Sequence, residues 1–225
     1  YDQLSQDLAI NNNPALIMVS GGGITGGDVI HLGIFDIPLI SNIPNIVYLA
    51  PTNREEYVAM IEWGIEQKNY PVAIRVPNGN VVSTGVKVES NFENLNTYEK
   101  NIEGSEVAII GLGSFYDLGR KVQEKLQSET GIKATLINPR FITGIDKQML
   151  TELLDNHKLV ITLEDGILNG GFGEKIASFY GNKDMKVLNF GAHKEFTNRV
   201  PLAELYERYH LTEELIVNDI KAVLK

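Results

Sequence analysis

EVAIIGLGSFYDLGRKVQEKL, residues 106–126, changes its period partway along. Its start is a nearly continuous apolar run, the pattern of a strand covered on both faces of a parallel sheet. A glycine turn follows, and beyond it Leu118, Val122 and Leu126 recur at helical spacing. The stretch reads as strand, tight turn and helix, half of a βαβ unit. Downstream, ATLIN predicts a strand and Asp146 caps a helix running to about Asn156. LVITLED predicts another buried strand, LNGGFG leads into a helix from Glu174 to Tyr180, and KVLNF is the last strand. Thr212 caps a final helix with Leu215, Ile216, Ile220 and Val223 on its apolar face.

The alternation also extends upstream. YDQLSQDLAI places Tyr1, Leu4 and Leu8 at helical spacing, like the second half of an amphipathic helix, so the chain reads as a fragment of something longer. ALIMV (15–19) predicts a strand buried on both faces, and IVYLA (46–50) a second. Thr52 or Asn53 caps the next helix, Glu55 and Glu56 occupy its first turn, and Val58, Ile61 and Ile65 form its predicted inner face. VAIRV (72–76) is a third strand, stopped by Pro77-Asn78-Gly79. Strands alternating with helices predict an α/β fold with two open, mostly parallel sheets and helices on both faces. Residues 1–79 form the first unit and 106–225 the second, with no sequence repeat between them. The polar, Asn-rich stretch 80–105 is the expected linker, part of which is able to pair as an edge strand.

Bulk properties narrow the function. A net charge of -9 and the absence of basic runs argue against nucleic-acid binding. With no cysteine there are no disulfides or thiolate ligands, which fits a reducing compartment. No apolar run approaches the roughly 20 residues that cross a bilayer. The expectation is a soluble, cytoplasmic protein without membrane contact.

Open parallel sheets bind ligands at the carboxyl ends of their strands. Three loops lie there: SGGGITGGDVIHLGIFD (20–36), GLGSFYD (111–117) and EDGILNGGFG (164–173). GLGSFYD matches part of a dinucleotide fingerprint but lacks its third glycine, and reads as a strand-to-helix turn; a nicotinamide-binding domain is the alternative. There is no phosphate-binding GxxxxGK[ST] and no GxSxG nucleophile elbow. His157, His193 and His210 are scattered without metal-ligand spacing, so no metal site is expected within these residues. His31 differs by position: it follows a buried strand within a glycine loop, where an imidazole can exchange protons near neutral pH.

The ordered set YDQL, HxGxFD (His31, Gly33, Phe35, Asp36), IPNIVYLAPTNREE, PVAIRVPNG, EVAIIGLGS, INPRFITGID and VITLEDGILNGGFGE resembles the 1-deoxy-D-xylulose-5-phosphate synthase family. The resemblance spans the chain and implies most of a pyrimidine-binding domain followed by a transketolase-type C-terminal domain. It further implies thiamine diphosphate with magnesium, held by an N-terminal half outside these residues, and homodimers. The family condenses decarboxylated pyruvate with glyceraldehyde 3-phosphate, for isoprenoid and thiamine precursors. His31 falls on the family histidine facing the bound intermediate, and by itself the fragment is expected to be inactive.

The substrate loop departs from the family. Ser20 stands where the family has an arginine, and Gly27 where it has an acid, with Asp28 displaced by one. Asn78 replaces the arginine of a YPRG motif, while Arg75 matches the family's other arginine or serves structure. Hydrogen bonds to charged groups contribute roughly 1.5–3 kcal/mol each, so two lost arginines weaken phosphate binding by several kcal/mol. Two alternatives follow: a paralogue with a different or unphosphorylated acceptor, or a non-catalytic module for dimerisation or partner binding.

Overall fold

The computed structural model describes residues 1–76 and 81–225. A short wide-turned helix, Leu4–Ala9, precedes β1 (Ala15–Val19). Then come α1 (Asp36–Ser41), β2 (Val47–Leu49), α2 (Arg54–Glu66) and β3 (Pro71–Arg75). These strands form a parallel sheet in the order β1-β3-β2. The second unit runs β4 (Glu99–Ile102), β5 (Glu106–Gly111), α3 (Tyr116–Thr130), β6 (Thr135–Asn138) and α4 (Lys147–Glu152). It continues with β7 (His157–Ile167), α5 (Phe172–Tyr180), β8 (Lys186–Ala192), α6 (Leu202–Arg208) and α7 (Glu213–Leu224). Its sheet has the order β4-β6-β5-β7-β8, parallel except for β4, which pairs antiparallel with β6. The expected fold class, two mostly parallel sheets with helices, is the one observed. The edge strand β4 lies inside the stretch 80–105.

Capping follows the sequence closely. Asn53 accepts from the Glu56 amide at 2.9 Å, Asp146 from that of Met149 at 2.9 Å, and Thr212 from that of Leu215 at 3.3 Å. Two predicted faces are corrected. β1 is an edge strand with incompletely covered faces, whereas β2 at the other edge is fully buried: Met18 is 40% exposed and its neighbours in β1 only half-buried, despite an all-apolar sequence. On α2 the buried face is Ala59, Met60, Trp63 and Gly64, whereas Val58 and Ile65 are exposed. The indole decides that rotation: Trp63 packs edge-on against Phe92, 5.7 Å between centroids, and an aromatic ring has far more area to bury than valine. Helices α1 and α6, which no marked periodicity announced, complete the set.

The two units share a core. Ile37, Tyr48 and Ala73 of the first cluster with Ala108, Ile110 and Phe172 of the second. Backbone bonds reinforce the seam: Ala50 N donates to the Arg140 carbonyl at 2.8 Å, and Ile142 N to that of Tyr48 at 2.7 Å. Glu56 adds a buried polar tie, accepting from Asn138 Nδ2 at 2.7 Å and from Thr52 N and Oγ1. Burial pushes the Glu56 carboxyl above its usual range, against the pull of those bonds. Among the described residues, no helix is long and apolar enough to cross a membrane.

Candidate active site

The carboxyl ends of β2, β3, β5 and β7 converge at the seam, and the charged residues there are paired. Arg75, the last residue of β3, is 5% exposed. Its Nε donates to Asp36 Oδ2 at 2.6 Å, its Nη2 to Asp36 Oδ1 at 3.1 Å, and its Nη1 to Asp165 Oδ1. Tyr48 donates its hydroxyl to Asp36 Oδ2 at 2.6 Å, and Ser114 to Asp165 Oδ2 at 2.8 Å. Burial disfavours the guanidinium charge, but the two aspartates outweigh it and raise the Arg75 pKa. Burial followed by the Asp36 charge raises that of Tyr48. A basic residue ending an apolar strand needs such partners, since an unpaired charge there costs several kcal/mol.

Next to this knot, Glu164 is fully buried and accepts from the amides of Phe172 and Gly173 at 2.9 and 2.8 Å, capping α5. Burial pushes its carboxyl up to about 7, although both amide bonds favour the charged form. Within α5, burial lowers Lys175 to about 8 against the opposing pull of the Glu164 charge; its Nζ donates to the Ile142 carbonyl at 2.9 Å.

The glycine loop rests on the knot. A Cβ on Gly22 would lie 2.9 Å from both Arg75 Nε and Asp36 Oδ2, so only glycine passes there. Gly23 and Gly33 pair across the loop, Gly23 N donating to the Gly33 carbonyl at 2.9 Å. Ile24 and Ile34 plug into the core of the second unit. Between them a single turn, Val29–His31, presents His31 at the surface, with no partner for its ring among the described residues. Asp28 caps this turn, its Oδ1 accepting from Ile30 N at 3.3 Å.

The structure thus distributes the residues singled out from sequence. Ser20 is exposed just beyond β1, and the Gly27 carbonyl accepts from Arg199 N at 2.8 Å. Asp28 and His31 share one turn. Arg75 is buried beneath the loop, and Asn78 lies outside the described residues. Asp165, Tyr48, Ser114 and Arg199 were missed. The signal for the knot was present in an arginine ending an apolar strand and in an aspartate at the end of LVITLED. No periodicity pairs two such residues 90 positions apart. In GLGSFYD, a short turn through Gly113–Phe115 leads directly into α3, and Phe115 is buried against Tyr206. Among the described residues no three His, Asp or Glu side chains gather as a metal site.

Residues 97–216 match the family model described as transketolase, C-terminal domain, and the chain belongs to that family. Across its whole length it is 33% identical to 1-deoxy-D-xylulose-5-phosphate synthase of Clostridium tetani and 32% identical to that of Shouchella clausii. It covers 36% of each, so the chain spans about a third of the length of these relatives and corresponds to their C-terminal part. A solved structure described as split gene transketolase, inactive beta4 tetramer, shares the fold at a TM-score of 0.80 and 23% identity, over 98% of this chain and 70% of that one. The H261F transketolase mutant of Pichia stipitis follows at 0.71 and 17%, over 95% and 30%.

Proposed function

We propose that these residues are the C-terminal part of a thiamine-diphosphate-dependent synthase that joins two carbons from pyruvate, with loss of carbon dioxide, to an aldehyde acceptor. The observation that carries the reading is His31: its ring is unpaired and exposed, on a capped turn of a loop held by a buried ion-pair knot. In this reading 1–79 is an incomplete pyrimidine-binding domain and 106–225 the transketolase C-terminal domain, connected through 80–105. Thiamine diphosphate supplies the nucleophilic carbon, and its diphosphate and magnesium are held by residues outside this chain. His31 holds and returns a proton at the acceptor's carbonyl oxygen, a role suited to an imidazole at neutral pH. The product serves isoprenoid and thiamine precursor synthesis. A homodimer in the cytoplasm, completed by the N-terminal half of the same protein, is the assembly that fits.

The acceptor decides between two versions. Ser20 in place of an arginine favours an acceptor other than glyceraldehyde 3-phosphate. The test is an assay of the full-length protein with thiamine diphosphate, magnesium and pyruvate, offering glyceraldehyde 3-phosphate or glyceraldehyde. Product from either, reduced at least a hundredfold in His31→Asn, supports the reading. Strong preference for the phosphorylated aldehyde overturns the altered acceptor, and no product from any aldehyde overturns the enzyme.

A further inference from the structure

Residues 20–36 contain no lysine or arginine, yet the folded loop has a guanidinium attached to it. Segment 196–202, between β8 and α6, runs along the loop. Arg199 N donates to the Gly27 carbonyl at 2.8 Å, and Asn198 Oδ1 accepts from Val29 N at 3.3 Å. Phe196 meets Phe35 with ring centroids 5.8 Å apart. A Cβ on Gly26 would lie 2.8 Å from the Val200 carbonyl oxygen, so glycine is required for this approach. Arg199 has φ +52°, in the left-handed region that residues with side chains seldom adopt.

The side chain of Arg199 completes the contact. Its Nη2 donates to Asp28 Oδ2 at 3.0 Å, and Asp28 is the residue that caps the turn carrying His31. The arginine side chain is 78% exposed, and its other donors have no partner among the described residues. An exposed ion pair of this kind contributes little to stability, so the fold alone gives scant reason for an arginine in a strained backbone conformation. A guanidinium oriented by one carboxylate, with the rest of its fork open, is suited to a second oxyanion.

We infer that Arg199 is the anion-recognition residue of the glycine loop, taking the phosphate or carboxylate of the acceptor in place of the cation absent at position 20. The inference rests on the reading of residues 20–36 as an acceptor loop. It names a specificity residue contributed by the second unit.

The test uses full-length protein with glycine-selective 15N labelling, titrated with inorganic phosphate and, separately, with acetate. Saturable shifts of the Gly26 and Gly27 amides are expected, weakened at least tenfold in Arg199→Gln and partly retained in Arg199→Lys, with unchanged thermal unfolding. Tighter phosphate binding assigns a phosphorylated acceptor, and tighter acetate binding a carboxylated one. In the synthase assay, Arg199→Gln raises KM at least tenfold for the aldehyde carrying the anion recognised. Its kcat/KM for glyceraldehyde, which carries no anion, falls by less than that for the anionic aldehyde. No saturable shift with either anion, or an Arg199→Gln variant that titrates like the parent, overturns the inference. If the full-length protein turns over no aldehyde, the proposed function falls while the titrations still decide the role of Arg199.

Discussion

Replacing Arg75 by methionine removes the one cation of the knot while keeping most of the side-chain volume. Asp36 and Asp165, with side chains 10% and 5% exposed, then face each other's surroundings without a counter-charge. Removing one partner of a buried pair costs about 3–5 kcal/mol. The cost stays near that range for two pairs, because each carboxylate keeps a hydroxyl donor, Tyr48 at 2.6 Å and Ser114 at 2.8 Å. In a protein of this size 1 kcal/mol moves Tm by roughly 2–4 °C, so the expected loss is about 6–20 °C. Thermal unfolding followed by circular dichroism measures it, and urea unfolding followed by the fluorescence of Trp63, the single tryptophan, gives the free-energy loss directly. A triple variant, Arg75→Met with Asp36→Asn and Asp165→Asn, no longer buries an unpaired charge and should recover at least half of the loss. A loss below about 1 kcal/mol in Arg75→Met, or no recovery in the triple variant, would refute the electrostatic account of the knot.

Glu164 predicts a pH dependence. Its carboxyl titrates at about 7 in the folded protein against 4.5 ordinarily, so its contribution is fully present below pH 4.5 and is lost as pH rises through 7. That shift corresponds to roughly 3 kcal/mol, and the stability of the parent relative to Glu164→Gln should fall by about that much between pH 4 and pH 8. Parallel pH profiles in chemical denaturation would show that Glu164 is not the titrating group. Asn138→Leu removes the donor to buried Glu56 at 2.7 Å and should cost about 1.5–3 kcal/mol by the same denaturation assay, whereas an unchanged midpoint would mean the seam does not depend on this bond. Gly26→Ala places a methyl against the Val200 carbonyl oxygen, so protease cleavage within residues 24–31 should become faster; an unchanged cleavage rate would separate the loop from segment 196–202.

Strands and caps were legible because their signals are local. Val122 and Leu126 on α3, and the caps Asn53, Asp146 and Thr212, need only neighbouring residues to declare themselves. Faces set by tertiary contact were not. Val58 and Ile65 satisfy helical periodicity as well as Met60 and Trp63 do, and only the Phe92 ring waiting beside Trp63 breaks the tie. The all-apolar β1 reads as central, yet strand order rather than composition puts it at an edge. Within the site, His31 and Asp28 were legible as neighbours in one loop. Asp165 and Arg199 were not, since they arrive from 90 and 171 residues away from their partners Arg75 and Asp28.

Those two distant partners change what the glycines of the loop are for. Six glycines between Ser20 and Asp36 suggest a segment free to wander, because glycine loses the most conformational entropy on ordering. The fold spends that flexibility on close approach instead. Gly22 lets the chain lie on the Arg75–Asp36 pair, and Gly26 lets segment 196–202 come within contact of it. Ile24 and Ile34 are buried in the second unit, and the Ile34 carbonyl accepts from Ile167 N at 3.0 Å. The loop belongs to the first unit by sequence, but the second unit supplies Asp165 and Ser114 to the knot, and Asn198 and Arg199 to the far side of the loop. His31 is therefore held by the transketolase C-terminal domain as much as by the strand it follows. A variant that separates the two units should displace His31 before it unfolds either sheet.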